Sequence, residues 1–482
     1  MFHRDALHTG VAEGAGSIDP LAGPRSRWTY QVTAPPTEDE FIRYRWYSSF
    51  PLGDLDGDGT LEVIVTTPDN SGEPDRIIAL KDTPGESEPV RALWTFTSPE
   101  PIGPWGFDQY SAALADADGD GLLDVMFSSK SGFVRALKGT NGQVIWEYDT
   151  DHFIEAGPMI ADLDADGSQE VIVTTDCQPG PECVAQGGQG GALYVFAADP
   201  GGSDPLLWSL EMPKKSDSAE AAIADLDPDD GRALSALVFG SWDGNLYVVW
   251  READGRIIKN AFDIREFESS GGHLAGSPNT VIRSTPLLYD FGEGWTAVFG
   301  WMPDWTVGTE ARISAVRIEA DIRAGTVDFT PAWTISRDDW KSSVALLPLG
   351  DRNLIVTGYG IGTTQGTGNY GQCEPVTGGV IAIDPLNGAI AWENEFENEG
   401  NVRGSPAVAD LDADGTMDVV LTVGCYGKIY AYDGSTGEQA WGFQLGPRTI
   451  GTASIGDLDG NGTLEIVVPS YDGQVHVLQG EE

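Results

Sequence analysis

The chain has 482 residues, of which 28 are Lys or Arg and 75 are Asp or Glu, so its formal net charge at pH 7 is −47. This excess of negative charge disfavours nucleic acids and anionic membrane surfaces as partners. No apolar stretch approaches the roughly 18 residues that a membrane-spanning helix needs, and the sequence shows no signal peptide.

The first predicted strand covers residues 28–32 and stands alone, whereas the elements after it repeat. The first repeat opens with an acidic loop in which Asp54, Asp56 and Asp58 alternate with other residues, a glycine turns the chain, and Glu62 follows. An apolar strand comes directly after this loop. The same loop and strand begin again at four further positions, namely Asp116, Asp162, Asp410 and Asp457.

These loops have the donor pattern of a calcium site. Acids at loop positions 1, 3, 5 and 9 and a main-chain carbonyl at position 7 can surround one hard cation with oxygen, whereas softer metals prefer His or Cys. An EF-hand does not fit, because it needs Glu at position 12, where every copy has an apolar strand residue. The alternative is a solvated Asp-Gly turn without metal, in which the clustered like charges would repel one another. We therefore predict about five calcium sites. The predicted ligands are Asp54, Asp56, Asp58, Thr60, Glu62, Asp116, Asp118, Asp120, Leu122, Asp124, Asp162, Asp164, Asp166, Ser168, Glu170, Asp410, Asp412, Asp414, Thr416, Asp418, Asp457, Asp459, Asn461, Thr463 and Glu465.

Three weaker copies of the loop fill the intervals between the five complete ones. They begin at Asp225, Asp290 and Asp351 and lack the acid at position 9, and the sequence leaves open whether they bind metal. With them, the chain contains eight units. Each unit consists of four short predicted strands separated by turn residues, which is the pattern of a β-propeller blade.

The fourth strand of each unit carries an aromatic residue, but only seven such strands follow the loops. The aromatic residues are Trp94, Trp146, Trp208, Phe262, Trp333, Trp392 and Trp441. Because the eighth unit ends before a fourth strand can form, we expect residues 26–32, which include Trp28, to complete the last blade. The predicted fold is all-β: one eight-bladed β-propeller of four-stranded antiparallel blades over residues 26–482, with its ring closed by the N-terminal strand. Residues 1–25 are predicted to be an N-terminal extension that packs on the propeller.

The acidic loops resemble the FG-GAP or VCBS repeats of integrin α-chain propellers and of many secreted bacterial proteins. The later parts of the units, such as residues 379–392 and 428–441, resemble the tryptophan-docking repeats of quinoprotein dehydrogenases and of the eight-bladed lipoprotein of outer-membrane assembly. Residues 3–10 are similar to the opening of such bacterial chains. The resemblance implies a propeller with calcium in its loops. The chain departs from the dehydrogenases in having no adjacent cysteine pair, and from the integrins in having eight units instead of seven.

The four cysteines indicate the compartment. Cys177 and Cys183 flank a short loop, and their spacing suits a local disulfide; Cys373 and Cys425 lie in equivalent regions of the sixth and seventh units and could form a second one. The alternative is four free thiols. Disulfides and millimolar calcium occur together outside the cytoplasm, so we expect a secreted, periplasmic or cell-surface protein.

The sequence contains no complete catalytic motif. Its five histidines lack metal-ligand spacing, and no Gly-x-Ser-x-Gly nucleophile elbow is present. In a propeller, the residue seven places before each loop start is expected at one mouth of the central channel. These residues are Tyr47, Gln109, Glu155, Ser218, Arg283, Val344, Arg403 and Ile450, flanked by Arg45, Asp108, Tyr110, Asp217, Glu220 and Lys341. The cations and the acids lie on different sides of this ring, which would suit an anionic ligand; the alternative is Arg-carboxylate pairs that hold the blades together.

We therefore predict a calcium-binding propeller that acts as a non-catalytic scaffold, with structural calcium and a protein or glycan ligand at the channel mouth or the top-face loops. The chain is expected to be a monomer. One alternative is a calcium-dependent lyase that acts on a uronate-containing polysaccharide, with a base and cations drawn from Tyr47, Tyr110, Arg283, Lys341 and Arg403. A further alternative is a quinone-dependent dehydrogenase, which the resemblance to quinoprotein repeats suggests.

Overall fold

The structure is a computed structural model. It describes residues 11–15, 18–19, 22–32, 49–67, 76–99, 112–177, 190–216, 220–230, 234–268, 280–303, 311–337, 342–350, 352–360, 378–396, 402, 404–424, 426–446, 448–449 and 451–480.

The described residues form eight β-sheets, and every strand pairing in them is antiparallel except that of the first strand of the chain. Two strands precede the first blade: β1 (Val11–Ala15) and β2 (Arg25–Gln31). Blade one consists of β3 (Leu52–Gly53), β4 (Glu62–Thr67), β5 (Arg76–Asp82) and β6 (Val90–Thr97). Blade two consists of β7 (Ala112–Ala115), β8 (Asp124–Ser128), β9 (Phe133–Leu137) and β10 (Val144–Asp149). Blade three consists of β11 (Met159–Ala161), β12 (Glu170–Thr174), β13 (Ala192–Ala197) and β14 (Leu206–Glu211).

The fourth and fifth blades have short 3-10 turns beside their strands. Blade four consists of β15 (Ala222–Ala224), β16 (Ala236–Gly240), β17 (Asn245–Arg251) and β18 (Ile257–Asp263), with turns at Pro228–Asp230 and Ile264–Glu268. Blade five consists of β19 (Val281–Ile282), β20 (Leu287–Asp290), β21 (Trp295–Met302), β22 (Ala311–Asp321) and β23 (Thr326–Arg337). Both β19 and β20 pair with β21.

The last three blades follow the same order. Blade six consists of β24 (Ala345–Leu349), β25 (Arg352–Gly360), β26 (Gly378–Ile383) and β27 (Ile390–Phe396). Blade seven consists of β28 (Ala407–Asp410), β29 (Asp418–Val423), β30 (Lys428–Asp433) and β31 (Gln439–Gln444). Blade eight consists of β32 (Ser454–Gly456), β33 (Glu465–Ser470) and β34 (Gln474–Gln479), to which β2 is added.

Burial explains the strand sequences. The second strand of a blade, such as β12 or β29, is buried along its whole length, so it is a continuous apolar run and does not alternate. The outermost strand, such as β31, alternates between buried and exposed residues because only one face packs on a neighbour. The buried residues that the structure describes form eight hydrophobic clusters, each lying mainly between two neighbouring blades. Packing between blades therefore holds the ring together.

The N-terminal strand closes the ring, as predicted. Strand β2 pairs antiparallel with β34, with Trp28 opposite Val477. Trp28 is 3% exposed and belongs to a cluster that contains residues of both the eighth and the first blade. Beside it, the Arg27 guanidinium lies 2.8 Å from Asp459 Oδ2 in the eighth blade and also forms an ion pair with Asp82 of the first. The closure thus combines a ladder of hydrogen bonds, an apolar seam and an ion-pair network.

The N-terminal segment also supplies a turn that the sequence did not indicate. In blade seven, the Gly437 N–H donates to the Asp433 carbonyl at 2.8 Å, and this turn packs against Trp392 of the preceding blade. The Gly23 N–H donates to the Asp19 carbonyl at the same distance, 2.8 Å, and Gly23 packs against Trp441. The eighth blade therefore has both the turn and the strand of an ordinary blade, although neither is joined to β34 by the chain.

The tightness of this docking leads to a prediction about Gly437. Gly437 has φ +75°, and a Cβ there would lie 2.6 Å from the Trp392 ring, whereas Gly202 has φ +81° and no atom within 4 Å of an added Cβ. Alanine at either position incurs the left-handed backbone cost of about 1 kcal/mol, but only Gly437→Ala also displaces a packed indole, at roughly 2 kcal/mol more. Chemical denaturation should show Gly437→Ala to be clearly less stable than Gly202→Ala. Equal midpoints would show that the indole does not rest on this turn.

Strand β1 lies in the predicted N-terminal extension. It pairs in parallel with β28, with Val11 opposite Val408, and the Ile18 N–H donates to the Leu411 carbonyl at 2.8 Å. The segment before β2 thus contacts the seventh blade. The domain boundary at residue 25 remains a prediction, and residues 1–10 lie outside the described residues.

The cysteine pairs remain predictions. Cys177 is buried, whereas Cys183, Cys373 and Cys425 lie outside the described residues. In the described part of the chain, no helix has the length and apolar character that crossing a membrane requires.

Candidate metal centres and the channel mouth

The five acidic loops join the first strand of a blade to its second strand, and each brings three carboxylates together. In each group, one oxygen from each acid lies within 4.8 Å of the others. The groups are Asp54, Asp56 and Asp58; Asp116, Asp118 and Asp124; Asp162, Asp164 and Glu170; Asp410, Asp412 and Asp414; and Asp457, Asp459 and Glu465. Each group could hold a metal ion. The weaker loops at Asp225 and Asp290 form no such group among the described residues, and Asp351 lies outside them.

The first acid of each loop shapes the turn. In the first loop, Asp54 Oδ1 accepts a hydrogen bond from the Gly57 N–H at 2.7 Å, and its Oδ2 accepts one from the Gly59 N–H at 2.9 Å. In the other four loops, the N–H of position 6 likewise donates a hydrogen bond to Oδ2 of the position-1 Asp, at 2.8 to 3.1 Å. The backbone thereby holds the position-1 carboxylate in place.

The acid at position 9 is also held by a backbone hydrogen bond. One of its oxygens accepts a hydrogen bond from the N–H of loop position 2 in all five loops, at 2.8 to 3.0 Å. These acids stand at the start of the buried second strand and are at most 7% exposed. Buried carboxylates are therefore fixed beside the group of exposed ones.

Burial raises the pKa of the position-9 acids. Desolvation raises the pKa of Glu170, Asp418 and Glu465 to about 7, and the other acids of each loop add to the shift. The pKa values of Glu62 and Asp124 are also raised by desolvation. A cation in the loop would favour the ionised form of these groups and remove the penalty. The arrangement is therefore suited to a hard, positively charged ligand.

Cations of the protein itself lie at three of the five loops. Lys81 Nζ is 2.5 Å from Asp56 Oδ2 and 2.7 Å from Asp58 Oδ2. Lys138 forms ion pairs with two acids of the second loop, and Arg27 with two acids of the fifth. No described Lys or Arg forms an ion pair with the loops that begin at Asp162 and Asp410. This difference between the loops was not anticipated from the sequence.

Most of the predicted channel-mouth residues lie outside the described residues, including Tyr47, Tyr110, Lys341 and Arg403. Arg283 is described, and its guanidinium lies over the Trp242 ring, 5.2 Å from the centroid. The other predicted mouth residues outside the described ranges are Arg45, Asp108, Gln109, Asp217, Ser218 and Ile450. The lyase alternative therefore remains a prediction.

Two described residues of the predicted ring make contacts that stabilise the fold. Glu155 Oε1 lies 2.5 Å from Lys130 Nζ, which ties the third blade to the second. The placement of Val344 at the mouth was wrong: it is 1% exposed and packs in the core between the fifth and sixth blades. The weak loop predicted at Asp351 falls later relative to the innermost strand than the other loops do, so counting back from it reached the core.

A chain of hydroxyl groups links the innermost segments of the last blades. The Thr285 N–H donates to Ser343 Oγ at 3.2 Å, the Ser343 N–H to Ser405 Oγ at 2.9 Å, and the Ser405 N–H to Thr452 Oγ1 at 2.9 Å. Each bond crosses from one blade to the next. The sequence signal that could have found it is the Ser or Thr that precedes the innermost strand in these blades.

Glu220 begins this chain and leads to a prediction about pH. Its N–H donates to Thr285 Oγ1 at 3.2 Å, and burial raises the pKa of its carboxyl from 4.5 to about 8, opposed by a hydrogen bond from Gly157. Between these pH values the folded state holds a proton that the unfolded state has lost, so this group makes stability fall as pH rises. Glu220→Gln should flatten the decline of the melting temperature from pH 5 to pH 8 in saturating calcium. Glu319→Gln, an exposed control, should keep the wild-type slope; a wild-type slope in Glu220→Gln would contradict the assignment.

The comparisons with known proteins agree with this architecture. Residues 54–127 and 410–468 match the family described as FG-GAP-like repeat, and these segments contain four of the five acidic loops. None of the curated proteins matches the chain.

Several solved structures have a similar fold. Quinohemoprotein alcohol dehydrogenase ADHIIG from Pseudomonas putida HK5 aligns with a TM-score of 0.59 and 13% identity over 99% of this chain and 79% of that one. Sqt1 from Saccharomyces cerevisiae aligns at 0.56 and 11% identity, over 95% and 100% of the two chains. BamB from Moraxella catarrhalis aligns at 0.50 and 14% identity, over 94% and 98%. At these identities the likeness shows the fold alone. The chain is thus an eight-bladed β-propeller, and two of its segments match the FG-GAP-like repeat.

Proposed function

We propose that this chain is a secreted or cell-surface propeller in which calcium ions stabilise the blade turns and loops of the top face bind a protein or glycan partner. The observation that carries the proposal is the recurrent loop geometry. In all five loops an Asp at position 1 that accepts backbone hydrogen bonds lies close to further carboxylates, and in three of them the buried acid at position 9 belongs to the same group. Oxygen donors of this kind suit calcium, and magnesium would demand a tighter octahedron with more water.

The charge and the predicted disulfide are consistent with the proposed location. Five calcium ions would offset ten of the 47 excess negative charges, so the particle would stay strongly acidic and soluble without self-association. We also propose that the buried Cys177 forms the disulfide with Cys183 that the spacing predicts, and disulfides persist in oxidising compartments. We therefore place the chain outside the cytoplasm as a monomer.

A scaffold role fits the described part of the channel mouth better than a catalytic one. Glu155 pairs with Lys130, and Arg283 stacks on Trp242. Groups held in this way join blades and are less available for proton transfer. A lyase would instead release products with an unsaturated uronate, whose ultraviolet absorbance can be followed on a panel of acidic polysaccharides. Product formation would replace the scaffold proposal by the lyase.

The calcium role is tested by neutralising one loop. Asp412→Asn combined with Asp414→Asn removes two predicted ligands from the loop that begins at Asp410. The matched control, Glu319→Gln with Asp328→Asn, makes the same charge change on exposed residues of the outer strands of blade five. Elemental analysis after equilibrium dialysis should find one calcium ion fewer in the loop variant and the wild-type number in the control. The same number in both variants would remove this loop from the set of calcium sites.

A further inference from the structure

The first two loops already contain a cation where a metal ion would bind. Lys81 Nζ lies 2.5 Å from Asp56 Oδ2, 2.7 Å from Asp58 Oδ2 and 3.2 Å from Glu62 Oε1. Its partners are thus the acids at loop positions 3, 5 and 9. Lys138 Nζ lies 2.8 Å from Asp120 Oδ2 and also pairs with Asp118. In both loops the ammonium contacts oxygens that calcium would need.

The strand register explains why, among the described residues, a lysine lies at these two loops. Val63 pairs with Leu80 and Val125 with Leu137. The position-9 acids Glu62 and Asp124 therefore stand opposite Lys81, on the third strand of blade one, and Lys138, directly after the third strand of blade two. Side chains directly opposite one another on an antiparallel pair share a face and lie within contact distance. A lysine at this position therefore projects towards the loop.

The same register position holds different residues in the other three complete loops. In blade three, Glu170 pairs with Ala197, and in blade seven, Asp418 pairs with Asp433. Neither partner can neutralise the loop, and no described cation reaches it. In the last blade, Arg27 comes from β2 instead and lies 2.8 Å from Asp459 Oδ2, but it also pairs with Asp82.

We propose that Lys81 and Lys138 are built-in counterions that compete with calcium, so that the loops beginning at Asp162 and Asp410 bind it tightly and those at Asp54 and Asp116 bind it weakly. The inference rests on the calcium function proposed above. A divalent ion can enter the first two loops only when the ammonium leaves its carboxylates, whereas in the third and seventh blades the carboxylates have no described competitor. The first two blade turns therefore stay neutralised at low calcium, and those of blades three and seven depend on the ion.

The test is calorimetric titration of the chelator-stripped full chain with calcium chloride. The wild type should show two tight sites and a weaker class. Lys81→Met with Lys138→Met should move two more sites into the tight class, with an affinity gain of roughly tenfold, which is within the usual range of coupling between binding events. Lys259→Met, on the outer strand of blade four and stacked on Tyr247, is a control for charge and should leave the titration unchanged.

A reciprocal variant makes the test independent of the two lysines. Ala197→Lys places an ammonium opposite Glu170, at the register position of Lys81, and should convert one tight site into a weak one. Retained circular dichroism in saturating calcium shows that each variant is folded. If the wild type binds calcium but neither the double variant nor Ala197→Lys changes the number or affinity of tight sites, the competition is refuted and the calcium function stands. If the wild type binds no calcium, both proposals fall.

Discussion

Removal of calcium by a chelator at low ionic strength is expected to lower the melting temperature of this protein by about 10 °C. A site saturated at about 100 times its dissociation constant contributes about 2.7 kcal/mol to the folded state, so two tight sites give about 5 kcal/mol. For a large domain, each kcal/mol of unfolding free energy shifts the melting temperature by about 2 °C. Differential scanning calorimetry measures the change directly.

The physical reason for this large effect is the burial of the position-9 acids. Glu170 is 7% exposed, and Asp418 is also 7% exposed. Without a cation, each is surrounded by the carboxylates of its own loop at the start of a strand that is buried throughout. Folding must then either protonate these groups or bury unneutralised charge, and both reduce stability.

Two controls test whether the change in melting temperature is specific to calcium. Calcium added back in excess should restore the melting temperature, and magnesium at the same concentration should restore much less, because it keeps its water and tolerates few protein geometries. An unchanged melting curve after chelation would contradict the structural role of the ion.

Replacement of Trp28 by alanine is expected to open the ring and to cause the second large loss of stability. Trp28 packs in the cluster between the eighth and first blades, and truncation of a buried tryptophan to alanine costs about 3–5 kcal/mol. Thr29→Ala is the matched control, because Thr29 lies next to it on β2 but is exposed. The denaturation midpoint of Trp28→Ala should fall well below that of Thr29→Ala.

The same variant should expose an unpaired strand edge. When β2 separates, β34 loses its antiparallel partner, and an open edge of this kind favours association with other chains. Size-exclusion chromatography of Trp28→Ala under mild destabilisation should therefore show oligomers that Thr29→Ala does not form. Coincident midpoints and elution profiles would mean that β2 is not the closure of the ring.

The sequence predicted the ring because its repeat is carried by local signals. The acidic loop precedes a buried apolar strand in every complete unit, and the aromatic residue on the fourth strand marks the end of each unit. The missing eighth strand followed from counting these signals, and Trp28 was correctly assigned to it. Local periodicity was sufficient because the first seven blades are built from strands that follow one another in the chain.

Features that depend on register or on distant parts of the chain could not be predicted in this way. The Asp19 to Gly23 turn packs on Trp441 only because the first and last blades are neighbours in space. Lys81 and Lys138 face the acidic loops because of strand pairing, which the sequence pattern does not give. Val344 was misplaced because the sixth unit has a decayed loop and offers no reliable point from which to count.

The most direct test of the account is the number of calcium ions bound by the stripped and dialysed chain, measured by elemental analysis across a range of free calcium concentrations. We expect two ions at low free calcium, held by the loops that begin at Asp162 and Asp410, and a rise towards five at saturation. A chain that stays folded and contains no calcium at any concentration would contradict it.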